Sequence, residues 1–273
     1  MKISILGCGW LGLPLAERLR DEGHQIKGST TSEEKLQLLK GKEIQPFLLE
    51  LTPDLHCENC DDFWDADVLV LNIPPGRGKN DVKEFHQQQI QAVINRLTDS
   101  PINFVVFISS TSVYPQKGGI VSEEDTKTGK ASRASGNALL EAEKMLRKES
   151  GFETTIIRFG GLYGYDRHPV KYLAGRKNIS NGNAPVNLIH QKDCINIIQK
   201  VIKENITDQI FNGVSDGHPP KKMYYPAVAK AMELKAPTFK NDESKEYKIV
   251  SNRKLKMMLK YKFIHPNPMD FSI

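Results

Sequence analysis

Three glycines stand at Gly7, Gly9 and Gly12 in the stretch GCGWLG, directly after the apolar run KISIL and before LGLPLAERLRDEG. The spacing suits a particular task. A glycine at the first position permits a tight turn, one at the second lets the main chain approach a phosphate, and one at the third lets a helix press on a strand. A helix N-terminus carries free N–H groups and partial positive charge, so a pyrophosphate would rest there. Gly7, Gly9, Trp10, Leu11 and Gly12 are therefore candidate contacts of a dinucleotide.

A second stretch is FVVFISSTSVYP, Phe104 to Pro115. An apolar, partly β-branched run belongs inside a sheet, yet it ends in Ser109, Ser110, Thr111, Ser112 and Tyr114. Such hydroxyls cap a turn or face a ligand that needs hydrogen bonds. Pro74 and Pro75 end another buried run, DVLVLNI, and with Ser109 they are expected along the same cofactor cleft.

The third stretch is the tip of the second strand, Ser29-Thr30-Thr31-Ser32, with Lys35 a turn later. A carboxylate at this point would bind a ribose 2′-OH and repel a 2′-phosphate. Its absence, with hydroxyls and an ammonium at Ser29, Thr30, Thr31 and Lys35, favours NADP, with NAD the alternative. The same residues also suit a structural role, Ser32 capping a helix whose first turn holds Glu33 and Glu34.

These residues need a frame, and the pattern supplies one. Strand runs at Lys2–Gly7, His24–Ser32, Asp67–Ile73, from Phe104 and at Thr154–Gly161 alternate with helical runs, which requires crossovers and a parallel sheet covered on both faces. The fold class is α/β: a Rossmann-type doubly wound parallel sheet over 1–160, with a smaller substrate-side lobe over 161–273, partly interwoven with the first. The composition is that of a globular chain: 273 residues, 39% hydrophobic, 26% charged, net charge +5. No secretory leader or membrane-length apolar run is present, so a cytoplasmic location and no membrane partner are expected.

Two features carry less. The CxxC within HCENC, His56 to Cys60, lacks a second ligand pair, so it reads as a polar loop and no metal is expected. The basic run Lys245–Lys262 holds seven Lys or Arg against one Glu, but Leu255, Met258 and Leu259 recur at helical spacing. A solvated face over a buried stripe explains it without nucleic acid.

Taken together, GCGWLG, NIPPG, ISSTSVYP, RFGGLYG (Arg158–Gly164) and VNLIHQKD (Val186–Asp193) resemble the short-chain dehydrogenase/reductase superfamily in its extended, epimerase/dehydratase form. The resemblance runs almost end to end. It implies that Ser110 is the active-site serine, hydrogen-bonding the substrate oxygen beside the nicotinamide. It also implies a Tyr-x-x-x-Lys acid–base pair on the next helix, and here the chain departs. The matching positions are Ser135 and Leu139, and no tyrosine occurs between Tyr114 and Tyr163. Neither residue can relay a proton at neutral pH. Tyr114 is the first candidate to stand in as the acid. Tyr163, Tyr165 and His168 read as packing or surface, and His190 with Asp193 as structural.

Arg167, His168, Lys171, Arg176 and Lys177 form a basic group that would suit an anionic small-molecule substrate, or a solvated loop. Two classes stay open: an NAD(P)-dependent oxidoreductase or epimerase acting on a carbonyl or nucleotide-sugar-like molecule, and a non-catalytic dinucleotide-binding sensor or scaffold. The chain is expected to be a monomer or homodimer.

Overall fold

The computed structural model describes all residues except 53, 77–80, 127–130, 165, 243–245 and 271–273; Tyr165 and Lys245 thus lie outside the described residues. β1 (Lys2–Leu6), α1 (Gly12–Asp21), β2 (Gln25–Thr30), α2 (Glu33–Gly41) and β3 (Gln45–Leu48) come in that order. A hairpin of β4 (Glu50–Thr52) and β5 (Asp54–His56) and a short α3 (Asp61–Trp64) lead into β6 (Val68–Leu71), α4 (Val82–Thr98) and β7 (Phe104–Ser110). Then come β8 (Ile120–Val121), α5 (Ala134–Lys148), β9 (Glu153–Phe159), β10 (Gly161–Tyr163), β11 (Leu188–His190) and α6 (Gln191–Lys203). The chain closes with β12 (Ile210–Gly213), α7 (Lys221–Ala231), β13 (Ile249–Val250) and α8 (Arg253–Met258).

Among the described residues, seven strands form one sheet in the order β12-β9-β7-β6-β1-β2-β3. Every pairing within it is parallel. The strand order reverses between β1 and β6, and there the loops after the two strands part to leave a crevice. Alternation along β6 shows how the sheet is held. Leu69 and Leu71 face Ile90, Val93 and Leu97 of α4 and Leu140 and Leu146 of α5. Val68 and Val70 face the opposite way, into Leu15 and Leu19 of α1 and Ile197, Ile198 and Val201 of α6. Period-2 burial on both faces is what a helix-covered parallel sheet requires. A third, smaller core joins Tyr163, Val170, Leu188, Tyr224 and Val228 in the C-terminal part of the chain.

The second half of the chain returns to the main sheet: β12 extends it beside β9, with Phe211 opposite Ile157. No described helix is long and apolar enough to cross a membrane. In the basic C-terminal run, Leu255 and Leu259 are buried but Met258 is exposed. The helix ends at Met258, so the expected three-residue stripe is two residues wide.

Candidate active site

The crevice at the strand reversal is a cleft of about 740 Å³, within the roughly 300–1,000 Å³ range of small-ligand sites. Its floor is the glycine turn. Gly7 has a φ of +106°, and a Cβ there would lie 2.5 Å from the carbonyl oxygen of Asn72. At Gly12 a Cβ would meet the Gly7 carbonyl oxygen at 2.2 Å, so only glycine lets α1 approach β1 this closely. Gly9 differs: it is exposed, it lines the cleft, and a Cβ there would point into open space. The turn packs against itself at Gly7 and Gly12 and leaves a bare backbone at Gly9, where a phosphate can come close.

Asn72, after β6, pins the turn by donating from Nδ2 to the Gly7 carbonyl at 3.0 Å. Ser29 does so from the other side: its Oγ accepts from the Gly7 N–H at 2.9 Å. This changes the reading of the second strand. Ser29 and Thr30 are buried, and Thr30 Oγ1 accepts from the Ser32 N–H at 3.1 Å, so both hydroxyls serve the fold. All four residues of the expected group line the cleft, Thr31 and Lys35 as its exposed members. Ser32 occupies the N-cap of α2 without a side-chain capping bond.

Leu11, Pro74, Pro75, Ser109 and Ser110 also line the cleft. Trp10 lines it too, but its polar groups reach across to the other lobe. Its indole N–H donates to Asp166 Oδ1 at 2.8 Å, its carbonyl accepts from Gln191 Nε2 at 2.7 Å, and the Arg167 guanidinium lies 5.0 Å over its ring. Of the expected basic group, only Arg167 reaches the cleft. His168 is buried beside Tyr163, 5.5 Å between centroids, and Lys171 donates to the Asp166 carbonyl at 3.1 Å. His190 stacks on His265 and meets Tyr163 edge-on, and Asp193 accepts from the Tyr261 hydroxyl and from the N–H groups of Ile264 and His265.

The hydroxyl row splits three ways. Ser110 keeps its place in the cleft, its Oγ accepting from the Ser112 N–H at 3.1 Å as the turn begins. Ser109 donates to Glu143 Oε1 at 2.6 Å, which commits its proton and leaves its oxygen to act only as an acceptor. Tyr114 departs from the expectation. The 3₁₀ turn Thr111–Val113 swings it behind the sheet, where it is fully buried. Its hydroxyl donates to Asn212 Oδ1 at 2.7 Å and accepts from Arg158 at 2.8 Å. Burial pushes its pKa up to about 12. A phenol so placed, outside the cleft lining, holds the core together and cannot hand a proton to a ligand.

Sequence reasoning missed the group behind Ser109. Arg158, 1% exposed, meets Glu143 through Nε at 3.0 Å and a terminal nitrogen at 2.6 Å, and also meets the Glu123 carbonyl and Thr126 Oγ1. Burial disfavours its charge, but bonding to Glu143 outweighs that and holds the guanidinium protonated. Leu139 lines the cleft at the position where the resemblance calls for lysine, and it contributes only an apolar wall. Cys8 also lines the cleft, but burial pushes its thiol up to about 12, far from a nucleophile.

The strand order, the crevice at its reversal and the glycine turn are those of a Rossmann-type fold, which the chain shares almost end to end with solved nucleotide-sugar epimerases. UDP-glucuronic acid 4-epimerase from Bacillus cereus, solved with NAD, superposes with a TM-score of 0.79 at 19% identity, covering 97% of this chain and 94% of that one. UDP-glucose 4-epimerase from Thermotoga maritima, solved with UDP-glucose, superposes with a TM-score of 0.77 at 12% identity, covering 98% and 96%. No protein-family model matches the chain. It is 33% identical over 272 residues to protein YeeZ of Escherichia coli K12, covering 98% of this chain and 97% of that one. The chain belongs to the YeeZ family.

Proposed function

We propose that this protein binds NADP(H) along the cleft and acts on a small carbonyl or nucleotide-sugar-like molecule as an atypical member of its superfamily. The observation that carries the reading is the division of labour among the glycines: Gly7 and Gly12 are filled by protein, and Gly9 is bare toward the cleft. Main-chain N–H groups of the turn and the start of α1 would hold the pyrophosphate. Thr31 and Lys35 would receive a 2′-phosphate; β2 itself ends without a carboxylate, and the exposed Glu50 is the acid that shares this part of the cleft. Similarity to epimerases solved with NAD and with a UDP-sugar supports the ligand class. When bound, the cofactor supplies hydride chemistry.

This chain's own residues limit the chemistry at the nicotinamide end. Ser110 would orient a substrate oxygen, and Leu139 with Ile108 would keep water from the ring. No lysine stands at 139 and Tyr114 is locked away, so the usual proton relay is missing. General acid–base help is typically worth about 10²–10⁴ in rate, so reduction of ordinary carbonyl substrates should be very slow beside normal cofactor binding. Calorimetric titration with NADPH and NADH tests the cofactor half. Tighter NADPH binding is expected; equal or reversed affinities would remove the 2′-phosphate assignment. The second reading, a dinucleotide-binding sensor without turnover, draws on the same missing relay. An NADPH-oxidation screen over carbonyls and nucleotide sugars separates the two.

A further inference from the structure

Trp10, the fourth residue of GCGWLG, joins the glycine turn to a segment far along the chain. Its indole N–H donates to Asp166 Oδ1 at 2.8 Å, 156 residues away in sequence, and its main-chain carbonyl accepts from Gln191 Nε2 at 2.7 Å. A Cβ on Gly164 would lie 2.9 Å from the indole ring, so a glycine here lets the segment press on that ring. Gly164 and Arg167 then close a turn on each other. The Gly164 N–H donates to the Arg167 carbonyl at 2.8 Å, and the Arg167 N–H donates to the Gly164 carbonyl at 3.3 Å. Lys171 Nζ adds a further tie through the Asp166 carbonyl at 3.1 Å.

These contacts fix the place of one side chain. The Arg167 guanidinium lies 5.0 Å over the ring of Trp10, the residue after the bare Gly9, and both Gly9 and Arg167 line the cleft. The charged residues lining the cleft, among those described, are Lys35, Glu50 and Arg167, and Arg167 alone of them comes from the C-terminal part of the chain. It is half-buried, and no carboxylate pairs with it among the described residues; that of the adjacent Asp166 is bonded to the indole. A guanidinium stacked on a ring keeps its N–H donors in its own plane, free to fork onto an oxyanion. The start of α1 supplies free N–H groups to the same anion.

We propose that Arg167 is a diphosphate-binding residue: its guanidinium forks onto the pyrophosphate that rests on the glycine turn, so that the bound dinucleotide ties this turn to the segment after β10. The inference rests on the cofactor reading under the proposed function and deepens it. Trp10 is the positioning residue, holding the guanidinium beside Gly9. The two cations of the cleft then have different tasks. Lys35 tells NADP from NAD by the 2′-phosphate, whereas Arg167 meets the diphosphate that both share.

The test is calorimetric titration with NADPH, NADH, ADP-ribose and inorganic pyrophosphate, at fixed ionic strength, on the wild type, Arg167→Met, Arg167→Lys and Lys177→Ala. Methionine keeps an apolar stem on the Trp10 ring and removes the fork, so Arg167→Met should melt like the wild type. It should bind NADPH, NADH and ADP-ribose about ten- to a hundredfold more weakly, by a similar factor for each. Arg167→Lys should recover part of that loss, which a merely structural stacking role would not require. Arg167→Gln should lose as much as the methionine variant and keeps the test readable if that one is unstable. Lys177→Ala, exposed and outside the cleft lining, should stay within about twofold. Equal cofactor affinity in the wild type and Arg167→Met overturns the assignment and leaves the cofactor reading in place. A loss confined to NADPH also overturns it, since that would put Arg167 on the 2′-phosphate. Pyrophosphate bound through Arg167, with neither NADPH nor NADH bound, would refute the cofactor reading and leave the site standing. Binding of none of the four ligands overturns both.

Discussion

Replacing Glu143 by leucine removes the only carboxylate bonded to the buried Arg158 guanidinium among the described residues. Arg158 would keep the Tyr114 hydroxyl, the Glu123 carbonyl and Thr126 Oγ1, none of them charged side-chain partners. Leaving one member of a buried pair uncompensated costs about 3–5 kcal/mol. At roughly 2–4 °C per kcal/mol for a chain of this size, the melting midpoint should fall by about 6–20 °C. Arg158→Met alone should cost a similar amount. The double variant should lose much less than the sum, because two apolar groups of similar volume need no compensation. Urea denaturation of the four proteins measures this directly. A fall below about 1 kcal/mol for Glu143→Leu, the value of an exposed pair, would refute the idea that this network braces Ser109 from behind.

Three further outcomes rest on the geometry. His190, 3% exposed, has its pKa lowered to about 4, by burial first and then by His265, so the unfolded chain binds its proton more tightly. Stability should therefore be full above about pH 6.5 and fall by up to about 3 kcal/mol as pH drops toward 4. His190→Gln should flatten that dependence in denaturation curves, and an unchanged slope would contradict it. Lys35→Glu should weaken NADPH binding by about tenfold or more while leaving NADH nearly unchanged, read by calorimetry, since it removes a charge-assisted contact worth about 1.5–3 kcal/mol. Ser135→Tyr with Leu139→Lys should raise any residual carbonyl reduction, up to about 10²-fold, whereas Tyr114→Phe should lower stability and leave turnover alone. Loss of turnover in Tyr114→Phe would show that the buried phenol has a chemical part.

What the sequence made legible is what local constraints decide. Gly7, Gly9 and Gly12 do their work within six residues of chain, so their spacing announces it. The long buried strands and amphipathic helices were equally readable, because one residue in two or in three to four must face the core. The hairpin Glu50–Thr52 and Asp54–His56 and the strand Ile210–Gly213 were not, being three or four residues long. Tyr114 misled because sequence places it four residues after Ser110, while its partners Arg158 and Asn212 lie 44 and 98 residues away. Ser29 and Thr30 line the cleft as expected, but their hydroxyls also accept from the N–H groups of Gly7 and Ser32, a structural part that a reading of side-chain types alone does not reveal. The Glu143–Arg158 pair, joining α5 to β9 behind the hydroxyl row, carries no local signature at all.

The cofactor reading depends most on the bare backbone at Gly9, where a dinucleotide phosphate would lie. Calorimetry of NADP with the wild type and with Gly9→Asp puts this to the test. A Cβ at this position meets nothing within 4 Å, so the variant should fold and melt like the wild type. Saturable binding is expected for the wild type and none detectable for Gly9→Asp, whose carboxylate fills the phosphate's place and repels its charge. No binding by the wild type, or equal binding by both proteins, would contradict the assignment.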